Sequence, residues 1–254
     1  MSERSQILTL QDVGHAFGGF TVLTSVEFAI GTGEIVGLIG PNGSGKTTLF
    51  NIISGYIRHR SGRIVYDGQE LSSQSVQTRS YAGMVRTFQT PKVFEKMTVL
   101  ENVMVGCSKI TGSGMIEGLF QLPRARRDMV LMRDQAEALC EKFSLTAVRD
   151  QLARNLSAGQ RRILEIARAV AGEPKLLLLD EPSSGLNPDE IDDLSRSIRL
   201  LNDGGLSILL VSHDMDLMSV ASNVHVLYFG KIIASGGMDE IQRNAQVREA
   251  YFGS

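Results

Sequence analysis

No stretch of this chain approaches the roughly 20 consecutive apolar residues that a membrane-spanning helix needs. Its longest candidates, Leu176 to Leu179 and Ile208 to Val211, have the length of strands. The opening residues, Met1 to Gln6, are polar and lack the apolar stretch of a secretory signal. The expectation is a cytosolic protein that takes any membrane role through a partner. Cysteine is scarce: Cys107 and Cys140 are the only two and stand in no metal-ligand spacing. They read as buried or partly buried free thiols in a reducing compartment. An excess of charge of one sign is also missing. The net charge of −2 gives no electrostatic case for nucleic acid, whose binders show a basic face. There is no internal repeat and no low-complexity segment. What is present is an ordinary globular composition, 43% hydrophobic and 21% charged over 254 residues, enough for a substantial core.

The hydrophobic pattern divides the chain into three parts. Ile7 to Val13 and Thr21 to Ile30 read as strands separated by Gly18-Gly19, and Glu34 to Ile39 is a short apolar run ending at Gly40. A helix is expected from near Gly45, with Leu49, Ile52 and Ile53 on one face and Gly55 as its stop. Arg63 to Tyr66 reads as a strand turning at Asp67-Gly68. From about Thr98 to Leu152 the apolar residues recur at helical spacing, as in Val99, Val103 and Met104, then Met129, Met132, Ala136, Leu139, Cys140 and Phe143. Gly112, Gly114 and Gly118 mark a loop within this stretch, and Pro123 begins a long helix whose Arg124, Arg126 and Arg127 read as a solvated start. Leu176 to Leu179 and Ser207 to Val211 are bounded apolar runs of the kind found in strands covered on both faces. Helices are expected at about 158–171 and 188–201. Strand–helix alternation on both sides of a helical block implies an α/β core with an inserted α subdomain.

Gly40 to Thr47 matches the phosphate-loop pattern G-x-x-x-x-G-K-[ST], with an apolar strand before it and an amphipathic helix after it. Backbone N–H groups can surround phosphate oxygens only where side chains do not intervene, which Gly43 and Gly45 allow, and the helix N-terminus adds a favourable dipole. Lys46 would reach the β- and γ-phosphates, and the Thr47 hydroxyl would ligate Mg²⁺. Asp180 ends a strand of four leucines, where a carboxylate can hold Mg²⁺ beside a phosphate loop. Glu181 points differently from its neighbour and can address the attacking water as general base or water-positioning residue. His213 closes the next apolar strand and reaches the same sheet edge if the two strands are parallel; His15, His59 and His225 read as structural. Gln89 stands where the β-like part gives way to the helical block, and its amide can contact Mg²⁺ or water. Ser157 caps a helix whose free N–H groups form an anion site. That site suits the γ-phosphate held by a facing second copy of the domain.

Taken in order, these segments resemble the nucleotide-binding domain of ABC transporters over essentially the whole chain. Gly40–Thr47 is similar to Walker A, Gln89 to the Q-loop, and Leu156–Gln160 to the signature. Leu176–Glu181 resembles Walker B, Ser184-Gly185-Leu186-Asn187 the D-loop, and His213 the switch histidine. Phe17 resembles the aromatic residue that stacks on adenine. Two positions depart from the pattern: Ala158 replaces the usual second glycine of the signature, and Asn187 stands where the wider superfamily has aspartate. A finer resemblance is to ATPase subunits of bacterial branched-chain amino-acid importers. It is carried by Val85 to Gln89 with Phe94 and Thr98 to Asn102, by Gln160 to Arg168, by Gly185 to Pro188, and by Val247 to Gly253. The stretch between Gly106 and Arg133 is similar to the longer of that system's two ATPases.

The resemblance implies a P-loop NTPase (RecA-like) core with an antiparallel β subdomain and an inserted helical subdomain. As one domain over 1–254, 1–88 and 158–254 would form the catalytic and β core, and 89–157 the helical subdomain. It implies ATP and Mg²⁺ as cofactors. Nucleotide would be bound by Phe17, Gly40, Pro41, Asn42, Gly43, Ser44, Gly45, Lys46, Thr47 and Thr48 of one copy and by Ser157, Gly159 and Gln160 of the other. Catalysis would fall to Glu181, His213, Gln89 and Lys46, and the metal to Thr47, Gln89 and Asp180. The expected partners are two permease subunits, a second ATPase in a head-to-tail dimer and, indirectly, a periplasmic binding protein, with the chain on the cytoplasmic face of the inner membrane. The expected function is ATP hydrolysis driving uptake of branched-chain or other hydrophobic amino acids. The alternatives are a urea or amide importer ATPase and a soluble ATPase of the iron–sulfur assembly type.

Overall fold

Three strands are buried at every position: β3 (Ile35–Ile39), β7 (Leu176–Asp180) and β8 (Ser207–Val211). Such runs form the centre of a sheet covered on both faces. In the computed structural model, which describes residues 5–107 and 123–252, they do so. The strands β6 (Met84–Arg86), β9 (Asn223–Tyr228) and β10 (Lys231–Gly236) complete a six-stranded sheet of order β10-β9-β3-β8-β7-β6. All its neighbours are parallel except the β9–β10 hairpin. A second sheet is antiparallel, of order β2-β1-β4-β5, built from β1 (Gln6–Phe17), β2 (Phe20–Gly31), β4 (Ser61–Tyr66) and β5 (Gln69–Glu70). The turn between β4 and β5 is Asp67-Gly68, both at positive φ, as a two-residue hairpin requires.

The helix α1 (Lys46–Ile53) shares one core with both sheets: its Leu49, Phe50, Ile52 and Ile53 are grouped with Leu8, Leu10 and Ile64 of one sheet and Leu38, Leu178 and Leu209 of the other. It ends at Ser54, and Gly55 follows in the left-handed conformation (φ +86°) that stops a helix without strain. A short helix, α2 (Val76–Tyr81), precedes β6.

By contact density the chain forms two compact units. The first takes in both sheets, running to Gln89 and continuing with Lys175–Ser184 and Ile191 onward. The second, Thr90–Pro174 with Gly185–Glu190, is helical. In it α3 (Val99–Cys107) packs against α4 (Pro123–Lys142) and α5 (Ala158–Val170). A Cβ at Gly106 would lie 2.2 Å from the Arg168 carbonyl, so α3 and α5 approach backbone to backbone. Cys107 and Cys140 are buried free thiols, as expected, and burial pushes the Cys140 thiol up to about 11. The glycine loop expected at Gly112, Gly114 and Gly118 lies outside the described residues. A last long helix, α6 (Pro188–Asp203), begins in the second unit and continues in the first.

Candidate functional site

The chain leaves β3 into the loop at Gly40 and enters α1 directly after Gly45. Gly45 has φ +107°, a backbone conformation that residues with a side chain rarely adopt, so glycine is favoured there on conformational grounds. Lys46 Nζ donates to the carbonyls of Gly40 (2.6 Å) and Pro41 (3.0 Å), which draws the ammonium into the loop. Burial lowers its pKa, and the charges of Glu181 and Asp180 partly offset that. The β9–β10 turn pins the loop from behind: Gly230 N donates to the Ser44 carbonyl (3.0 Å) while Thr24 N donates to the Gly230 carbonyl (2.8 Å). A Cβ at Gly230 would lie 2.2 Å from the Val22 carbonyl, so this turn admits no side chain there.

β7 delivers Asp180 to the same edge of the sheet. Its carboxylate is paired with Arg86, Nη2 to Oδ2 at 2.6 Å, and both side chains are largely buried. Glu181 then takes a left-handed backbone (φ +47°), rare for a residue with a side chain, and its N–H donates to the Val211 carbonyl (2.9 Å). This twist is what makes Glu181 diverge from Asp180. β8 pairs parallel with β7, Asp180 opposite Val211, so the chain after β8 emerges beside Glu181. There His213 Nδ1 lies 2.7 Å from Glu181 Oε2. The parallel pairing expected from the sequence is the reason a residue 32 positions away reaches the carboxylate.

One cavity of about 730 Å³ collects these groups. Lys46, Thr47, Thr48 and the loop positions Gly40, Pro41, Asn42, Gly43 and Gly45 line it, together with Gln89, Asp180, Glu181 and His213. Thr47, Gln89 and Asp180 bring hydroxyl, amide and carboxylate groups to it, whose oxygens are the donors a hard divalent cation takes alongside phosphate oxygens. Of the nucleotide-binding residues expected from the same copy, two are not among those lining it. Ser44 is buried behind the loop, and Phe17 lies edge-on to His15 with ring centres 4.6 Å apart. The side chains that line the cavity from the antiparallel sheet are Phe20 and Val22.

Residues 23–184 match the family model described as ABC transporter, and residues 231–254 match one described as branched-chain amino acid ATP-binding cassette transporter. The chain belongs to the ABC transporter family. It is 36% identical over 249 residues to the high-affinity branched-chain amino acid transport ATP-binding protein BraF of Pseudomonas aeruginosa, covering 97% of this chain and 98% of that one. It is also 34% identical to the lipopolysaccharide export system ATP-binding protein LptB of Haemophilus influenzae, covering 97% of each. Among solved structures it is similar to the ADP conformation of an ATP-binding cassette of an ABC transporter. The TM-score is 0.85 at 30% identity, over 98% of this chain and 100% of that one. Membership in this family makes the chain a nucleotide-binding ATPase coupled to transport.

In this ABC ATPase the segment resembling the signature opens α5 within the helical unit. Ser157 Oγ accepts the Gln160 N–H (3.1 Å), and the Gln160 side chain accepts the Ser157 N–H (3.0 Å), a reciprocal capping box. Gln160 thus spends its amide oxygen on the cap. Glu190, which sequence reasoning passed over, accepts from Gly159 N (3.0 Å) and from Ser157 Oγ (3.1 Å). The available signal was Asn187-Pro188-Asp189-Glu190, a cap followed three residues later by glutamate. Asn187 Oδ1 accepts the Glu190 N–H at 3.0 Å, and Glu190 Oε2 accepts the Asn187 N–H at 3.2 Å. Arg86 stands in the sequence only within the Val85 to Gln89 motif. Its signal was a cation in a short apolar strand, which requires an anion nearby.

Proposed function

We propose that this protein is the ATP-hydrolysing subunit of an importer that takes up branched-chain or other hydrophobic amino acids. Hydrolysis is supported above all by the gathering of Lys46, Thr47, Asp180, Glu181 and His213 around one cavity. In this scheme the Gly40–Thr48 loop holds the nucleotide phosphates through its backbone N–H groups and Lys46. Thr47, Asp180 and Gln89 would hold Mg²⁺, which would neutralise charge on the phosphate oxygens. Glu181 accepts a proton from water as its oxygen attacks the γ-phosphorus; the bond to the β,γ-bridging oxygen breaks, giving ADP and phosphate. His213 orients the Glu181 carboxylate and meets the γ-phosphate. Phe17 remains the proposed partner of adenine, with Phe20 beside it across the Gly18-Gly19 turn.

The site is finished by Ser157, Gly159 and Gln160 of a second ATPase subunit in a head-to-tail dimer, identical or homologous. The sequence bounds of 1–88 with 158–254 and of 89–157 shift, because the helix 158–170 belongs with the helical unit: residues to Gln89, Lys175–Ser184 and from Ile191 act as the catalytic and β core, and Thr90–Pro174 with Gly185–Glu190 as the helical part that answers to two permeases. Among the described residues no helix is long and apolar enough to cross a membrane, which agrees with attachment through those permeases at the cytoplasmic face of the inner membrane. A periplasmic binding protein would supply the solute. The amino-acid assignment is supported by the match of residues 231–254 and by the 36% identity to BraF. A second reading, an export ATPase, is favoured only by the 34% identity to LptB.

The test is capture of the Glu181→Gln protein with ATP from detergent-solubilised native membranes, followed by mass spectrometry. Recovery of two permeases and a second ATPase, with amino-acid uptake lost on deletion of the gene, is expected. Recovery of soluble partners only contradicts the transport assignment, and recovery of export components contradicts import.

A further inference from the structure

We propose that Arg86 is a positioning residue that sets the Asp180 carboxylate relative to Thr47 and so tunes the divalent-cation site. This inference rests on the reading that Thr47 and Asp180 share a cation with the nucleotide phosphates. Arg86 divides its guanidinium between two elements. Nη2 takes Asp180 Oδ2 at 2.6 Å, while Nη1 donates to Asn51 Oδ1 (2.7 Å) and Ser54 Oγ (2.8 Å). Thr47, Asn51 and Ser54 follow one another at i, i+4 and i+7, so they lie along one face of α1 and its cap. Arg86 therefore grips the face of α1 that carries Thr47, and with the other arm of the same planar group it holds the carboxylate at the end of β7.

The fork is itself held. Its centre lies 5.4 Å from the Phe50 ring, 5.6 Å from Tyr56 and 5.7 Å from Phe88, and the side chain is 9% exposed. Phe88 directly precedes Gln89, so the group that spaces Asp180 from Thr47 also touches the segment that brings Gln89 to the cavity. Arg86 Nε is buried without a partner, so the guanidinium is not fully satisfied; its bonds are concentrated on these two elements. Lysine cannot reproduce this, because a point charge lacks the rigid fork that serves both partners at set angles. Partners that orient a metal ligand in this way alter cation affinity by roughly 10–100-fold when removed.

The experiment measures affinity for a fluorescent ATP analogue with Mg²⁺ and with EDTA, and takes the ratio. Arg86→Met, Arg86→Lys, Asn51→Ala and Asp180→Asn are compared with the parent, and each fold is checked by thermal melting. Arg86→Met is expected to bind metal-free nucleotide as the parent does while losing about tenfold or more of the Mg²⁺ enhancement. Arg86→Lys keeps the charge and is expected to lose most of that enhancement too; Asn51→Ala, which removes one of the two anchors on α1 and its cap, loses part of it. If Arg86→Met does not fold, the lysine and Asn51 variants decide. A parental Mg²⁺ ratio in the folded variants overturns the positioning role while Asp180→Asn still loses the enhancement. An unchanged ratio in Asp180→Asn overturns the cation-site reading itself.

Discussion

Glu190 Oε1 accepts the backbone N–H of Gly159 at 3.0 Å, so a carboxylate of this chain sits on the first turn of the helix that resembles the signature. The Ser157 hydroxyl and the Asn187 N–H complete its partners. The backbone N–H of Gly159, then that of Asn187, hold the Glu190 carboxyl below its usual range. A depressed acid stabilises the fold above its ordinary pKa, and that stabilisation is lost as pH falls below about 4.5 toward the folded value. Glu190→Gln should therefore cost about 0.5–1 kcal/mol at pH 7, the modest size expected of a solvent-accessible carboxylate at a helix start. Urea unfolding at pH 7 and pH 3.5 checks this: the deficit should shrink in acid. An equal deficit at both values contradicts a role for the charge.

Lys46 bonds only to carbonyls of its own loop, so its removal should disturb binding rather than folding. Lys46→Ala is expected to weaken ATP affinity by about tenfold or more, the loss of a charge-assisted contact, with a nearly parental melting temperature. Isothermal titration and thermal melting together make the check, and unchanged affinity counts against the phosphate-loop assignment.

His225 should set an acid limit on stability. Burial pushes its pKa down to about 4, against a smaller opposing effect of Glu34. Nδ1 lies 2.6 Å from Ser235 Oγ, and Nε2 is buried without a partner, so a second proton would have no acceptor there. The unfolded chain binds the proton near pH 6.5 and the folded chain does not, so stability is greatest above 6.5 and falls as pH drops toward 4. The fall amounts to at most about 3 kcal/mol. His225→Leu should flatten urea midpoints between pH 7 and pH 4.5; a slope equal to the parent's would place the acid sensitivity elsewhere.

Much of the architecture could be read from local pattern. The runs at Leu176–Leu179 and Ser207–Val211 are strands because no helix stripe places every residue inward, and Gly40–Thr47 is bracketed by a strand and a helix whose periods differ. β6 was not legible: three residues carry no period, and Met84–Arg86 becomes a strand only by pairing with β7. The β9–β10 hairpin was missed as well, although Phe229-Gly230, both at positive φ, is its turn. β1 runs on to Phe17, past its expected end at Val13, through register shifts with β2 that periodicity does not reveal. In the site, chemistry-bearing residues were visible by type and order, whereas their supports were not. Arg86 meets Asp180 across 94 positions and Glu190 meets Gly159 across 31, separations at which only the folded chain brings partners together.

The central claim is that Glu181, beside His213, activates water against bound ATP. The most direct measurement is phosphate release by Glu181→Gln, with nucleotide occupancy recorded on the same sample. Turnover should fall by about 100-fold or more, the scale of a general base, while ATP remains bound. Turnover near the parental rate, with ATP bound, would contradict the assignment of Glu181 and with it the account of hydrolysis.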